Sequence, residues 1–149
     1  MIEHPIIFFL NTYGVYFLIV LTLSYLWFVE KKKEVAIHGF MACVISGAVA
    51  LILKELYATS RPFLFDVAGA AAGQTISASF PSVHAALAFS FGVSVAFHAR
   101  KLGIGLLVVA GLIAIGRVVA NVHYPIDIAM GAIIGALIAS FLQKVHFGS

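Results

Sequence analysis

Three short polar patches interrupt an otherwise apolar chain: Lys54 with Arg61-Pro62, then Pro81-Ser82-Val83-His84, then Arg117 with His123 and Asp127. Together they offer three fixed cations, two imidazoles and one carboxylate. These are the parts needed to hold a tetrahedral oxyanion such as phosphate and to attack it through nitrogen. Ionisable groups beside apolar spans are expensive, which makes each patch a candidate functional site.

The third patch carries the strongest signal. His123 and Asp127 are four apart, so they share a face if the last helix begins near Pro125, a residue suited to the first turn. The carboxylate can then accept the ring N–H of His123, fix its tautomer and leave the other nitrogen unprotonated for attack. An aspartate near a helix N-terminus is also favoured by the dipole alone. In the second patch, Ser82 can cap a helix that opens there or donate its hydroxyl to an anion, while backbone N–H groups of the first turn face the same anion. His84 sits in that turn, where a capping or interfacial histidine is the plainer account. In the first patch, Lys54 and Arg61 are seven apart and point one way if their helix continues to the residue before Pro62. Snorkelling of both cations to the interface is the competing account.

The elements that must position these groups follow from composition. The chain has 149 residues, 62% hydrophobic and 10% charged, with mean hydropathy +1.10. Soluble domains carry about a quarter charged residues, so this is an integral membrane protein, read as one domain over residues 1–149. Five continuous apolar runs, roughly 6–29, 35–57, 82–98, 103–120 and 125–143, approach the ~20 residues a spanning helix needs. They predict an all-α polytopic bundle of about five transmembrane helices, because lipid leaves backbone groups no partner outside helices or closed barrels. The third run is short, as expected of a helix that stops at a buried site. Gly131-x-x-x-Gly135 allows close helix packing. The first run lacks a basic leader and an obvious cleavage site and is followed by Lys31-Lys32-Lys33, so it is expected to be a retained helix.

Charge sets the orientation. Lys31, Lys32, Lys33, Arg100, Lys101 and Lys144 fall at one set of helix ends; Lys54, Arg61 and Arg117 fall at the other. The positive-inside rule places the first set in the cytoplasm, with the C-terminus, and the N-terminus and all three patches on the outer face. The net charge of +3 forms no basic stripe, which excludes a nucleic-acid partner. Cys43 is the single cysteine, so a disulfide framework is excluded and the thiol reads as a small core hydrophobe. A phosphate would justify the gathered cations, since each contact at about 4 Å and an effective dielectric near 20 is worth roughly 4 kcal/mol.

Lys-x6-Arg-Pro, Pro-Ser-x-His and Arg-x5-His-x3-Asp, in that order from Lys54 to about Gly135, resemble the three signature motifs of the type 2 phosphatidic acid phosphatase superfamily. The resemblance implies that His123 is a nucleophile forming a phosphohistidine, that Asp127 orients it, and that His84 protonates the leaving group. It implies that Lys54, Arg61, Ser82, the Val83 N–H and Arg117 bind phosphate oxygens, with no metal or cofactor. The family usually has Gly where this chain has Val83, whose branched side chain is expected to narrow the pocket. Some bacterial undecaprenyl pyrophosphate phosphatases look similar in having a residue other than Gly there, and this tilts the expected substrate toward that lipid. Phosphatidic acid, phosphatidylglycerophosphate and a non-hydrolytic lipid-phosphate carrier are the alternatives. Family members in membranes commonly have six spans against the five expected here. The partners implied are the bilayer and a lipid phosphate, with a homodimer left open. The loop from Phe63 to Phe80, without Lys or Arg, is expected either to border the site or to be an inert connector. Glu55, Asp66, Asn121 and Tyr124 lie near the motifs without an assigned role.

Overall fold

Apolar runs of this length satisfy their backbone internally, and each expected run forms one helix. The computed structural model describes residues 5–57, 59 and 78–144, with side chains from Thr12 onward. Within them lie α1 (Pro5–Ser24), α2 (Lys33–Leu56), α3 (Val83–His98), α4 (Arg100–Val119) and α5 (Pro125–Leu142). The end of α1 widens into a π-helical turn over Tyr25–Val29. No strand occurs among the described residues. The chain is therefore all-α, as the continuous apolar pattern predicts.

Among the described residues, four stretches are long and apolar enough to cross a membrane: Thr12–Val29, α2, α4 and α5. With 16 residues, α3 is about 24 Å long at ~1.5 Å per residue, short of the ~30 Å hydrocarbon core. Large apolar side chains such as Phe17, Ile52, Leu112, Val119 and Phe141 face outward, the reverse of a water-soluble surface.

Short links make successive helices antiparallel neighbours. Residues 30–32 join α1 to α2, Ala99 alone separates α3 from α4, and 120–124 lead from α4 to α5. The starts of α1, α3 and α5 therefore gather at one end of the bundle with the ends of α2 and α4. Thr59 holds that end together, since its carbonyl accepts the Ser79 N–H at 2.9 Å and its hydroxyl accepts the Phe80 N–H at 3.0 Å.

The short α3 is the central element and packs on α2, α4 and α5. Its contact with α5 depends on two glycines. A Cβ at Gly131 would strike the Ser82 carbonyl oxygen and the Ala85 methyl, and one at Gly135 would strike the Ala86 carbonyl oxygen and the Ser90 nitrogen. Absent side chains thus let the two backbones approach closely. Against α2, the buried Ser46 hydroxyl donates to Ser90 Oγ at 2.8 Å. Cys43 is buried in this region, as its reading as a core residue predicts. The remaining core, including Val15, Leu26, Phe91, Val95 and Leu106, fills the space under α1.

Candidate functional site

The link between α4 and α5 aims His123. The α4 helix ends at Val119, and Asn121 follows in the left-handed region with φ 58°. Its N–H donates to the Val118 carbonyl at 2.9 Å, and the Val122 N–H donates to the Arg117 carbonyl at 3.1 Å, the paired bonds of a Schellman motif. The reversal brings the His123 N–H onto the same Arg117 carbonyl at 3.3 Å. Asparagine pays less for this conformation than other non-glycine residues. Tyr124 is then extended (φ −76°, ψ 153°) and Pro125 opens α5.

Asp127 is the third residue of α5, and its carboxylate turns back over the helix start. Asp127 Oδ2 accepts the Tyr124 N–H at 2.9 Å, the Ser79 hydroxyl at 2.8 Å and His123 Nδ1 at 3.3 Å. The two side chains are buried, Asp127 at 1% and His123 at 2% exposure. The pairing expected from the spacing is present, but its cause differs from the one expected. His123 lies two residues before the helix, so helical periodicity does not bring the groups together. The N3 carboxylate reaching back over the N-cap does, as in one arm of a capping box. Because a carboxylate only accepts, the neutral ring carries its proton on Nδ1 and its lone pair on Nε2.

The second patch is tied to the same aspartate. The Ser82 N–H donates to the Asp127 carbonyl at 3.0 Å, so one backbone bond and the Ser79 hydroxyl together clamp the Ser79–Ser82 segment against the start of α5. Ser82 is the N-cap of α3, and its Oγ accepts the Ala85 N–H at 3.4 Å. Of the two uses expected for this hydroxyl, capping is seen, and its proton remains available for donation. Val83 lines an apolar groove between α1 and α2. His84, half-buried, donates Nε2–H to the Thr12 carbonyl at 3.1 Å and meets the Tyr16 ring edge-on at 5.4 Å.

Lys54 and Arg117 each occupy the last turn of a helix, α2 and α4, where the dipole favours a cation. Arg117 is buried at 6% exposure; Lys54 is half-buried. The helix ends at Leu56, within a residue of the run expected to close at 57, so the condition for Lys54 and Arg61 to share a helical face is not met. Beyond it Thr59 turns its carbonyl and hydroxyl to the N–H groups of Ser79 and Phe80. Arg61 and residues 63–77 of the loop lie outside the described residues.

Ser79 and Thr59 are not marked out by their types, and Asn121 stands near the motifs with no role that the sequence assigns. Asn directly after an apolar helix is a recognisable C-terminal signal. Ser79 and Thr59 carry no such mark, since their partners lie 48 residues away and 21 residues away.

The fold and the buried cluster thus define an integral membrane helical bundle with a carboxylate-held histidine, a serine-capped helix start tied to the same aspartate, and two cations at helix ends on that side of the bundle. The chain belongs to the PAP2 superfamily, whose model matches residues 34–149. It is similar to the bacitracin transport permease protein BcrC of Bacillus licheniformis, 33% identical over 141 residues that cover 93% of this chain and 70% of that protein. It is also similar to undecaprenyl-diphosphatase BcrC of Bacillus subtilis, 29% identical over 140 residues, 90% of this chain and 69% of that one. Among solved structures, Aquifex aeolicus LpxE shares the fold with a TM-score of 0.71 at 24% identity, over 97% of this chain and 89% of that one.

Proposed function

We propose that the protein is a lipid phosphatase that hydrolyses undecaprenyl diphosphate at the outer membrane interface through a phosphohistidine on His123. The observation that carries this reading is the Asp127 carboxylate on His123 Nδ1, which holds the ring proton of the neutral tautomer on Nδ1 and makes Nε2 the nitrogen that bears the lone pair. The relative named undecaprenyl-diphosphatase supports the substrate class. Segregation of Lys31–Lys33, Arg100, Lys101 and Lys144 to the bundle end opposite the site supports the orientation.

In the first step His123 Nε2 forms a bond to the terminal phosphorus while the bond from that phosphorus to the bridging oxygen breaks. His84 delivers its proton to the departing undecaprenyl phosphate. Its Nε2–H is engaged with the Thr12 carbonyl, so this transfer requires that bond to be exchanged for one to the substrate. Lys54, Arg61, Arg117, the Ser82 hydroxyl and the Val83 N–H stabilise charge on the phosphoryl oxygens. In the second step water attacks the phosphohistidine, His84 takes its proton, and inorganic phosphate leaves.

The name of the Bacillus licheniformis relative favours a second reading, a carrier of a lipid phosphate or an antibiotic. Carriage gives a buried, carboxylate-oriented imidazole no task. The separating experiment is phosphate release by purified protein from undecaprenyl diphosphate, phosphatidic acid and phosphatidylglycerophosphate. Release is expected, fastest from the diphosphate, and abolished by His123→Ala. No release above that variant from any of the three rejects the phosphatase reading.

A further inference from the structure

α1 and α2 do not close on each other. Between them runs an apolar groove with α3 as its floor, and its part nearest the site has a volume of about 480 Å³. A second cavity of about 370 Å³ continues it toward Trp27 and Ala36. The two share Leu23 and Phe40 in their walls, so they form one trough. From Leu51 to Ala36 along α2 it extends about 22 Å at ~1.5 Å per residue, most of the ~30 Å hydrocarbon core.

In a membrane every outward face is apolar, and an apolar groove alone identifies nothing. This one begins at the site. Its upper end is lined by Val83, the residue between Ser82 and His84, and by Tyr16, whose ring rests on His84. Small residues of α2, Gly47 and Ala48, recess its wall.

We infer that the trough seats the proximal isoprene units of a polyprenyl diphosphate whose phosphates lie among Ser82, His84 and His123. This rests on the phosphatase reading and deepens it. A headgroup held at the start of α3 must send its first carbons into hydrocarbon, and Val83 offers them an apolar wall where the usual glycine offers none. Lipid tails are as apolar as the groove, so transfer from bilayer to groove brings no hydrophobic gain. What the groove supplies is shape. A methyl-branched, unsaturated chain packs against fixed walls with fewer rotamers to lose than a saturated acyl chain. The consequence is selectivity for chain type and alignment of the reacting phosphorus.

The test measures kcat/KM for undecaprenyl diphosphate and for dimethylallyl diphosphate, whose single isoprene unit is too short to fill a trough of ~22 Å. Ala48→Trp and, separately, Val44→Trp fill the groove from positions exposed on α2. The ratio of the two kcat/KM values, long chain over short, is expected to fall about tenfold in both variants, a differential of ~1.4 kcal/mol. Leu112→Trp, on the outward face of α4, is expected to keep the wild-type ratio. A photoreactive side chain at position 44 is expected to crosslink to radiolabelled polyprenyl diphosphate, with unlabelled substrate competing. An unchanged ratio in the groove variants overturns the inference, as does crosslinking to a second copy of the chain or to bulk phospholipid without competition. Wild-type protein that hydrolyses neither substrate rejects the phosphatase reading itself, an outcome distinct from an unchanged ratio.

Discussion

Replacing one hydrogen atom, in Gly131→Ala, tests whether helix packing positions the site. The added methyl would meet the Ser82 carbonyl oxygen with no room, and the Ala85 Cβ at 2.9 Å where ordinary contact begins at 3.4 Å. Neither obstacle can rotate away, because one is backbone and the other a methyl on a helix. α5 must therefore withdraw from α3, and overpacking of this kind costs about 1–3 kcal/mol. The same movement stretches the bonds that join α5 to the second patch, Ser82 N–H to Asp127 O at 3.0 Å and Ser79 Oγ to Asp127 Oδ2 at 2.8 Å. A shift of ~1 Å breaks both and moves His123 off the line of attack proposed for it, a misplacement sufficient for a loss of roughly a hundredfold in kcat. The assay pairs phosphate release from undecaprenyl diphosphate with thermal unfolding in one detergent. Gly111→Ala is the control, since nothing lies within 4 Å of a Cβ there, and it is expected to keep wild-type turnover. Gly131→Ala with wild-type turnover would refute the argument that this close approach aligns the site.

Ser79→Ala removes a buried hydroxyl that donates to the Asp127 carboxylate, a charged-group bond worth about 1.5–3 kcal/mol. A lower unfolding temperature and a lower kcat with KM little changed are expected, and wild-type values of both would strip Ser79 of its role. Asn121→Val forces a branched side chain into φ 58° and is expected to be roughly 1–2 kcal/mol less stable than Asn121→Gly, which removes the same side chain without the strain; equal unfolding temperatures for the two variants would contradict the strain argument. Because attack needs one neutral imidazole and departure one protonated imidazole, turnover is expected to follow a bell-shaped pH profile. A rate that stays flat across the histidine titration range would count against the pairing of His123 with His84.

The helices of the described residues were legible because lipid leaves apolar backbone few solutions, and Lys33, Arg100 and Lys144 mark one set of their ends. The candidate site was legible because charge beside spans is rare, so Arg117, His123 and Asp127 stand out, and all three are buried. What stayed hidden depends on tertiary contact. No local rule pairs Ser79 with Asp127 or Thr59 with Phe80, and those bonds tie the segment before α3 to the start of α5 and to Thr59 beyond the end of α2. The His123–Asp127 bond followed from the spacing for a reason other than helical period: a left-handed Asn121 and an N3 carboxylate bend the chain to meet itself. Gly131 and Gly135 read correctly as packing residues, but the structure adds that what they pack is the N-cap serine of the second patch.

The most direct measurement traps the intermediate. Purified protein is mixed with undecaprenyl diphosphate radiolabelled at its terminal phosphorus, quenched in alkali within one turnover, and mapped by peptide. The account predicts label on His123, stable to base and labile to acid, and missing from His123→Gln. Rapid phosphate release with no labelled protein, or label carried by any other residue, would contradict it.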